Sequence, residues 1–123
     1  YDLSDVNNLN QLSRILNSVD SVFHLAAKAR VQPSIDDPVG YELNNTLSTV
    51  NILKACVDSD VRRFVYSSSS SVYGDNDNMP LRENFKPNPL SPYGAQKYYG
   101  EILCNTFAEV YDIETVSLRY FNV

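Results

Sequence analysis

Tyr93 and Lys97 stand four residues apart in the segment Ser91-Pro92-Tyr93-Gly94-Ala95-Gln96-Lys97. On a helix that spacing puts both side chains on one face, a single turn apart. A free tyrosine ionises near pH ~10, too high for a base at neutral pH, and a neighbouring cation lowers that value by stabilising the phenolate. Such a tyrosine can take a proton from a substrate hydroxyl and later return it. Upstream, the apolar run Phe64-Val65-Tyr66 leads straight into five serines, Ser67 to Ser71. Alternation along an extended chain puts Ser67, Ser69 and Ser71 on one side and Ser68 and Ser70 on the other. One side is expected to meet a substrate oxygen while the other satisfies backbone. Alone, Tyr-x-x-x-Lys also fits an ordinary surface pair on a chain with nine tyrosines, and a serine run commonly marks a linker. The succession of strand, hydroxyl cluster, Pro-rich loop and Tyr–Lys helix favours chemistry.

The elements that must position these groups follow from hydrophobic periodicity. Val6, Leu9, Leu12, Ile15 and Leu16 predict an amphipathic helix over 5–19, with Ser4 and Asp5 as caps. Val22 to Ala27 reads as a buried parallel strand ending in small residues, which let something flat approach the backbone. Lys28 to Ile35 reads as a loop carrying cations. Asp36-Asp37-Pro38 opens a helix whose stripe is Val39, Leu43, Leu47, Val50, Leu53 and Val57, ended by Asp58-Ser59-Asp60. Val61 to Ser69 is the next strand, and Gly74 to Leu90 is a loop broken by three prolines. Ser91 caps the last helix, with Leu103, Phe107 and Val110 as its buried stripe and Asp112 as its end. Thr115 to Tyr120 is a third strand. Strands alternating with helices imply βαβ units and a parallel α/β sheet with helices on its faces. Ligands of such sheets sit beyond the strands' carboxyl ends, where Ala26-Ala27, Ser67–Ser71 and Phe121-Asn122 converge.

The 123 residues allow at most one domain, and the net charge of −5 gives no basic footprint for nucleic acid. No apolar run reaches the ~18 residues of a membrane span. Cys56 and Cys104 lack metal spacing and read as reduced thiols packed on helices, which fits a cytoplasmic protein with no metal. His24, mid-strand and without a Ser or Cys at a suggestive spacing, reads as a core histidine satisfied by backbone. Asn45, early in the long helix, is by spacing alone a solvated asparagine. The chain starts without Met and stops at the end of a strand, so a piece of a longer protein is expected.

These motifs resemble the extended short-chain dehydrogenases/reductases, specifically the NAD-dependent epimerase/dehydratase group that acts on nucleotide sugars. The matching pieces are Asp2-Leu3 with Asp5, His24-Leu25-Ala26-Ala27, Asn45 with Thr49, Ser67-Ser68-Ser69 through Val72-Tyr73-Gly74-Asp75, the Ser91–Lys97 segment, and Leu118-Arg119-Tyr120-Phe121-Asn122. They run through the whole chain in the group's order. The resemblance implies part of one doubly wound, Rossmann-type domain over 1–123 that binds NAD. By it, Asp2 and Leu3 touch the adenine. Leu25, Ala26, Ala27, Lys28 and Ala29 run along the ribose and diphosphate, and Asn45 and Ser67 also contact the cofactor. Ser69 holds the sugar hydroxyl, Tyr93 is the base, and Lys97 grips the nicotinamide ribose and tunes Tyr93. Phe121 lies near the nicotinamide. Ser70, Ser71 and Asn122 contact the nucleotide sugar. The group's Gly-rich turn would lie before Tyr1 and its substrate domain after Val123, so the piece alone is expected to bind NAD poorly and to be inactive.

Dehydratases of the group carry Thr-Asp-Glu-Val-Tyr-Gly where this chain has Ser69-Ser70-Ser71-Val72-Tyr73-Gly74. Their two acids drive water elimination, which serines cannot readily do. The resemblance therefore points to a 4-epimerase acting through a 4-keto sugar on UDP-glucose, UDP-N-acetylglucosamine or their uronic acids. Dehydration, reduction or decarboxylation on the same scaffold, and non-catalytic NAD binding, are the alternatives. Members of the group commonly form homodimers through two helices per subunit, here those at 36–57 and 91–111.

Overall fold

The computed structural model describes residues 2–122; Tyr1 and Val123, which enter above only as the ends of the sequence, lie outside the described residues. The elements are a 3-10 turn (Val6–Asn8), α1 (Leu9–Leu16), β1 (Ser21–His24), α2 (Val31–Asp36), α3 (Pro38–Glu42), a π-helical turn (Leu43–Leu47), α4 (Ser48–Asp58), β2 (Arg63–Ser69), a 3-10 turn (Ser70–Val72), α5 (Pro92–Tyr111) and β3 (Glu114–Tyr120). Three strands form one parallel sheet in the order β1-β2-β3. Register places His24 beside Tyr66 and Ser69 beside Tyr120, so all three carboxyl ends open on the same edge.

The core lies between the sheet and the helices. Phe64, Leu53, Cys56 and Cys104 have no exposed surface, and Tyr66, Leu12, Leu16, Ile52 and Ile113 close the cluster around them. The opposite face of the sheet carries Phe23, Val116, Leu118 and Tyr120, all exposed. Helices therefore cover one face among the described residues, where the sequence pattern suggested both. No helix among them is long and apolar enough to cross a membrane.

Several elements differ from expectation. The stretch expected as a loop over 28–35 holds α2, whose Ser34 is fully buried. The long helix is interrupted by the π-helical turn, which adds a residue to the repeat and breaks the phase of the stripe. Leu53 is fully buried after the break, whereas Val39 before it and Leu43 at its start are exposed. Side chains compensate the turn's loosened ladder: the hydroxyls of Ser48 and Thr49 donate to the carbonyls of Asn44 and Asn45. On α5 the buried face is Lys97, Gly100, Glu101 and Cys104; Leu103 and Phe107 are half-buried and Val110 is exposed. That inward face is polar because it carries the site; of the expected stripe, Leu103 and Phe107 pack against the edge of the core, and Val110 does not. The caps follow expectation: Asp5 accepts from the Asn7 N–H, Ser91 Oγ from the Gly94 N–H, and Asp112 ends α5 in the left-handed region at φ 57°.

Candidate active site

The serine cluster divides at the end of β2. Ser67 and Ser69 face away from α5, while Ser68 turns inward and donates to Glu101 Oε1 at 2.5 Å. The inward serine thus serves a buried carboxylate and not backbone, as alternation alone suggested. Extension ends at Ser69, whose Oγ accepts from the Ser71 N–H at 3.1 Å and donates to Ser71 Oγ at 3.2 Å. This bend turns Ser70 and Ser71 back toward the same opening.

Facing that bend is the first turn of α5. Gly94 permits the approach: a Cβ there would lie 2.7 Å from the Ser71 carbonyl oxygen. The Tyr93 N–H donates to Ser34 Oγ at 3.1 Å, so α2 holds the backbone that carries the phenol. One turn later Lys97 Nζ donates to the Ser67 carbonyl at 2.8 Å. The ammonium lies 5.1 Å from the Tyr66 ring centroid and 6.0 Å from that of Tyr93. Burial pushes Lys97 down to about 8.

Behind the opening, Glu101 binds Arg119 through both carboxylate oxygens, at 2.9 and 2.7 Å. The Glu101 hydrogen bonds push the Arg119 guanidinium up from its already high range. Arg119 stacks 4.7 Å from the Tyr73 centroid, and Tyr73 stacks on Phe121 at 6.4 Å. Helix α5, the end of β2 and the end of β3 are therefore tied into one unit.

These parts surround a cleft of about 500 Å³. Of the residues singled out from sequence, Leu25, Ala27, Ala29, Ser67, Ser69, Ser70, Ser71, Tyr93, Lys97, Phe121 and Asn122 line it. A second cavity of about 270 Å³ holds Asp2, Leu3, Ala26, Ala27 and Lys28. Ala27 lines both, so the two cavities form one track across the carboxyl edge. Asn45 lines neither. It is buried, accepts from the Lys28 N–H at 2.8 Å, and donates to the Lys28 carbonyl and to Gln96. It is therefore not the solvated helix asparagine its spacing suggested; it fixes the loop between the cavities.

His24 is buried as expected, yet its partner is a side chain: Nε2 lies 3.1 Å from Thr49 Oγ1. Burial, then the charge of Lys97, pushes it down to about 4, so it stays neutral at pH 7. Cys56 and Cys104 are free and buried, and burial pushes both thiols up to about 12.

Residues 1–123 match the NAD dependent epimerase/dehydratase family. The chain belongs to that family. The UDP-glucose 4-epimerase of Azospirillum brasilense is 34% identical over 121 residues, which are 97% of this chain and 35% of that protein. The chain thus spans about a third of that relative's length. A UDP-N-acetylglucosamine 4-epimerase from Methanobrevibacter ruminantium M1, solved with UDP-N-acetylmuramic acid, superposes with a TM-score of 0.92 at 43% identity. It is covered over 38% of its length, by 99% of this chain. A double mutant of the dTDP-glucose 4,6-dehydratase DesIV from Streptomyces venezuelae, solved with NAD bound, gives 0.90 at 29% identity, with 97% of this chain on 36% of that one. The parallel sheet is thus part of a Rossmann-type fold in an NAD-dependent family, and the track suits an extended dinucleotide: small side chains at Ala26, Ala27 and Ala29 admit close approach, and Lys97 supplies a cation at the far end.

Sequence reasoning missed Ser34, Glu101 and the stack of Arg119 on Tyr73, and it gave Ser68 a backbone partner where the structure has Glu101. Ser34 carries no spacing signal. Glu101 does, standing four residues after Lys97 on the same face of α5.

Proposed function

We propose that the full-length protein carrying this chain is an NAD-dependent 4-epimerase of a nucleotide sugar of the UDP-glucose or UDP-N-acetylglucosamine type. The observation that carries this reading is the chemistry of the cleft wall. Ser69, Ser70 and Ser71 line it opposite Tyr93 and Lys97, and no carboxylate does among the described residues. Hydroxyls can orient a sugar and share a proton; they cannot serve as the acid–base pair that water elimination needs.

NAD, when bound, supplies the hydride acceptor and donor for C4. Ser69 orients the 4-hydroxyl, with its own oxygen held by the Ser71 N–H. Tyr93 takes the hydroxyl proton, with the Lys97 ammonium beside its ring. The resulting 4-keto sugar turns over in the cleft, and Tyr93 returns the proton after the opposite face is presented. Asp2, Leu3, Leu25 to Ala29, Ser67, Lys97 and Phe121 hold the dinucleotide on this reading, with Asn45 acting through Lys28. Ser70, Ser71 and Asn122 hold the sugar. The exposed Val39, Leu43 and Tyr99 on the helices at 36–57 and 91–111 support a homodimer as the working form.

The test is incubation of the full-length protein with NAD and either UDP-glucose or UDP-N-acetylglucosamine, followed by chromatography of the products. The 4-epimer is expected, and Tyr93→Phe should abolish it. A dehydrated, reduced or decarboxylated product would replace this reading with one of its rivals, and unchanged turnover in Tyr93→Phe would remove Tyr93 as the base.

A further inference from the structure

Lys97 is a buried ammonium without a counter-ion. Only 4% of its surface is exposed, and among the described residues no carboxylate pairs with it. Its hydrogen bond goes to a neutral acceptor, the Ser67 carbonyl. Glu101, one turn further along α5, is committed to Arg119 and Ser68. His24 on β1 is neutral at pH 7, and Arg30, which lines the same cleft, is itself a cation. A charge removed from water in this way is costly unless another group offsets the lost hydration.

Two aromatic rings face the ammonium. The Tyr66 centroid lies 5.1 Å from Nζ and the Tyr93 centroid 6.0 Å. The negative face of a ring attracts a cation, and more strongly where water is excluded. The two rings differ in what else they do. Tyr93 opens on the cleft, whereas Tyr66 is 1% exposed and does not line it. Tyr66 fills the space that Gly100 leaves on α5, where a Cβ would collide with its Oη and Cζ. The His24 ring stacks on it from β1 at 6.0 Å. Held between strand and helix, the ring has no room to swing away. Burial pushes the Tyr66 phenol up, so it stays protonated, and its hydroxyl has no hydrogen-bond partner among the described residues. What Tyr66 offers Lys97 is therefore a ring face.

We propose that Tyr66 is a positioning residue whose ring face keeps the Lys97 ammonium charged and seated beside Tyr93, so that proton transfer at Tyr93 depends on a side chain that never meets the substrate. This rests on the roles given to Tyr93 and Lys97 above and adds the group behind them.

The experiment uses the full-length protein with NAD, isotope-labelled at the lysine ε-carbons, and follows the Lys97 titration by NMR. The Lys97 signal is assigned by its loss in Lys97→Met. Tyr66→Leu should lower the titration midpoint by about one pH unit, the scale of a desolvated cation–π contact. Tyr66→Phe keeps the ring and should move it by less than about a third as much. Near pH 8, where Lys97 titrates, kcat for epimerisation should fall about fivefold in Tyr66→Leu, as the charged fraction drops from about a half to about a tenth. KM should change by less than about twofold. An unmoved midpoint in Tyr66→Leu would overturn the proposal, and so would a fall in Tyr66→Phe as large as that in Tyr66→Leu. A lowered midpoint with unchanged kcat would overturn it too. If Tyr66→Leu does not fold, ring-fluorinated phenylalanines introduced at position 66 keep the shape while draining the ring face; the midpoint should fall stepwise with each fluorine, and a constant midpoint would refute the contact. Should the unsubstituted protein epimerise neither UDP-glucose nor UDP-N-acetylglucosamine, the 4-epimerase reading fails, while the titration still decides whether Tyr66 holds Lys97.

Discussion

Glu101 on α5 grips Arg119 on β3 with both carboxylate oxygens, while Oε1 also accepts from Ser68 on β2. Lys97, one turn earlier, reaches the carbonyl of the preceding strand residue, Ser67. Two successive turns of one helix are thus pinned to two successive residues of one strand. Sliding α5 along β2 would break both, so the Tyr93-to-Ser69 relationship is fixed from behind.

The pair is largely removed from solvent, its side chains 9% and 16% exposed. Removing one partner leaves a buried uncompensated charge. Glu101→Leu is expected to cost about 3–5 kcal/mol of stability. The double variant Glu101→Leu with Arg119→Met should recover more than half of that, because an apolar pair of similar size avoids desolvating either ion. Denaturant unfolding of the full-length protein and its three variants checks this; a double variant as unstable as the sum of the singles would contradict it.

Lys97 trades stability for chemistry. Burial holds it near 8 against 10.5 in the unfolded chain. The native state gives up this proton first, so its contribution to stability rises as pH climbs from 8 to 10.5 and is absent below 8. Lys97→Met should therefore stabilise the protein at pH 7 by about 1–2 kcal/mol and flatten that alkaline rise. Turnover should fall by about a hundredfold or more. Denaturant midpoints from pH 7 to 10 and product chromatography read the two effects; a destabilised variant would refute the trade.

His24 sets an acid limit. It titrates near 4 in the native state and near 6.5 when unfolded. The unfolded chain binds the proton first, so stability is full above 6.5 and is lost as pH falls toward 4, by an amount of the order of 3 kcal/mol. His24→Gln should flatten this acid limb while leaving the alkaline one. An acid limb of unchanged slope in the variant would assign the loss to carboxylates instead.

The order of strands and helices was legible because apolar runs and caps obey simple periods, and the Tyr93–Lys97 and Ser67–Ser71 segments were legible because chemistry needs those side chains at those intervals. The errors have distinct physical causes. The inward face of α5 is Lys97, Gly100, Glu101 and Cys104, so a search for apolar spacing chose Val110, which is exposed. The π-helical turn at Leu43–Leu47 shifted the phase of the long helix unseen, since one added residue per turn leaves composition unchanged. Ser34 accepts from the distant Tyr93 N–H while donating to the local Val31 carbonyl, and Ser68 donates to the distant Glu101; no local pattern encodes the distant partners.

Gly94 lets the start of α5 lie close against the serine turn. Its missing Cβ would sit 2.7 Å from the Ser71 carbonyl oxygen and 3.2 Å from Pro89 Cβ. The first of these is backbone and cannot swing aside, so any side chain must lift the start of α5 off the serine turn. Tyr93 is the adjacent residue and moves with it. Gly94→Ala is therefore expected to cost about 1–3 kcal/mol of stability, and to lower kcat by about 10–100-fold with a smaller change in KM, because a displacement of about 1 Å misaligns the proton transfer more than it weakens binding. Ala95→Ser, at the exposed neighbouring position, should leave kcat within about twofold. Full activity in Gly94→Ala would show that the helix start and the serine turn can separate without consequence, and would remove the rigid seating of Tyr93 against Ser71 from the mechanism.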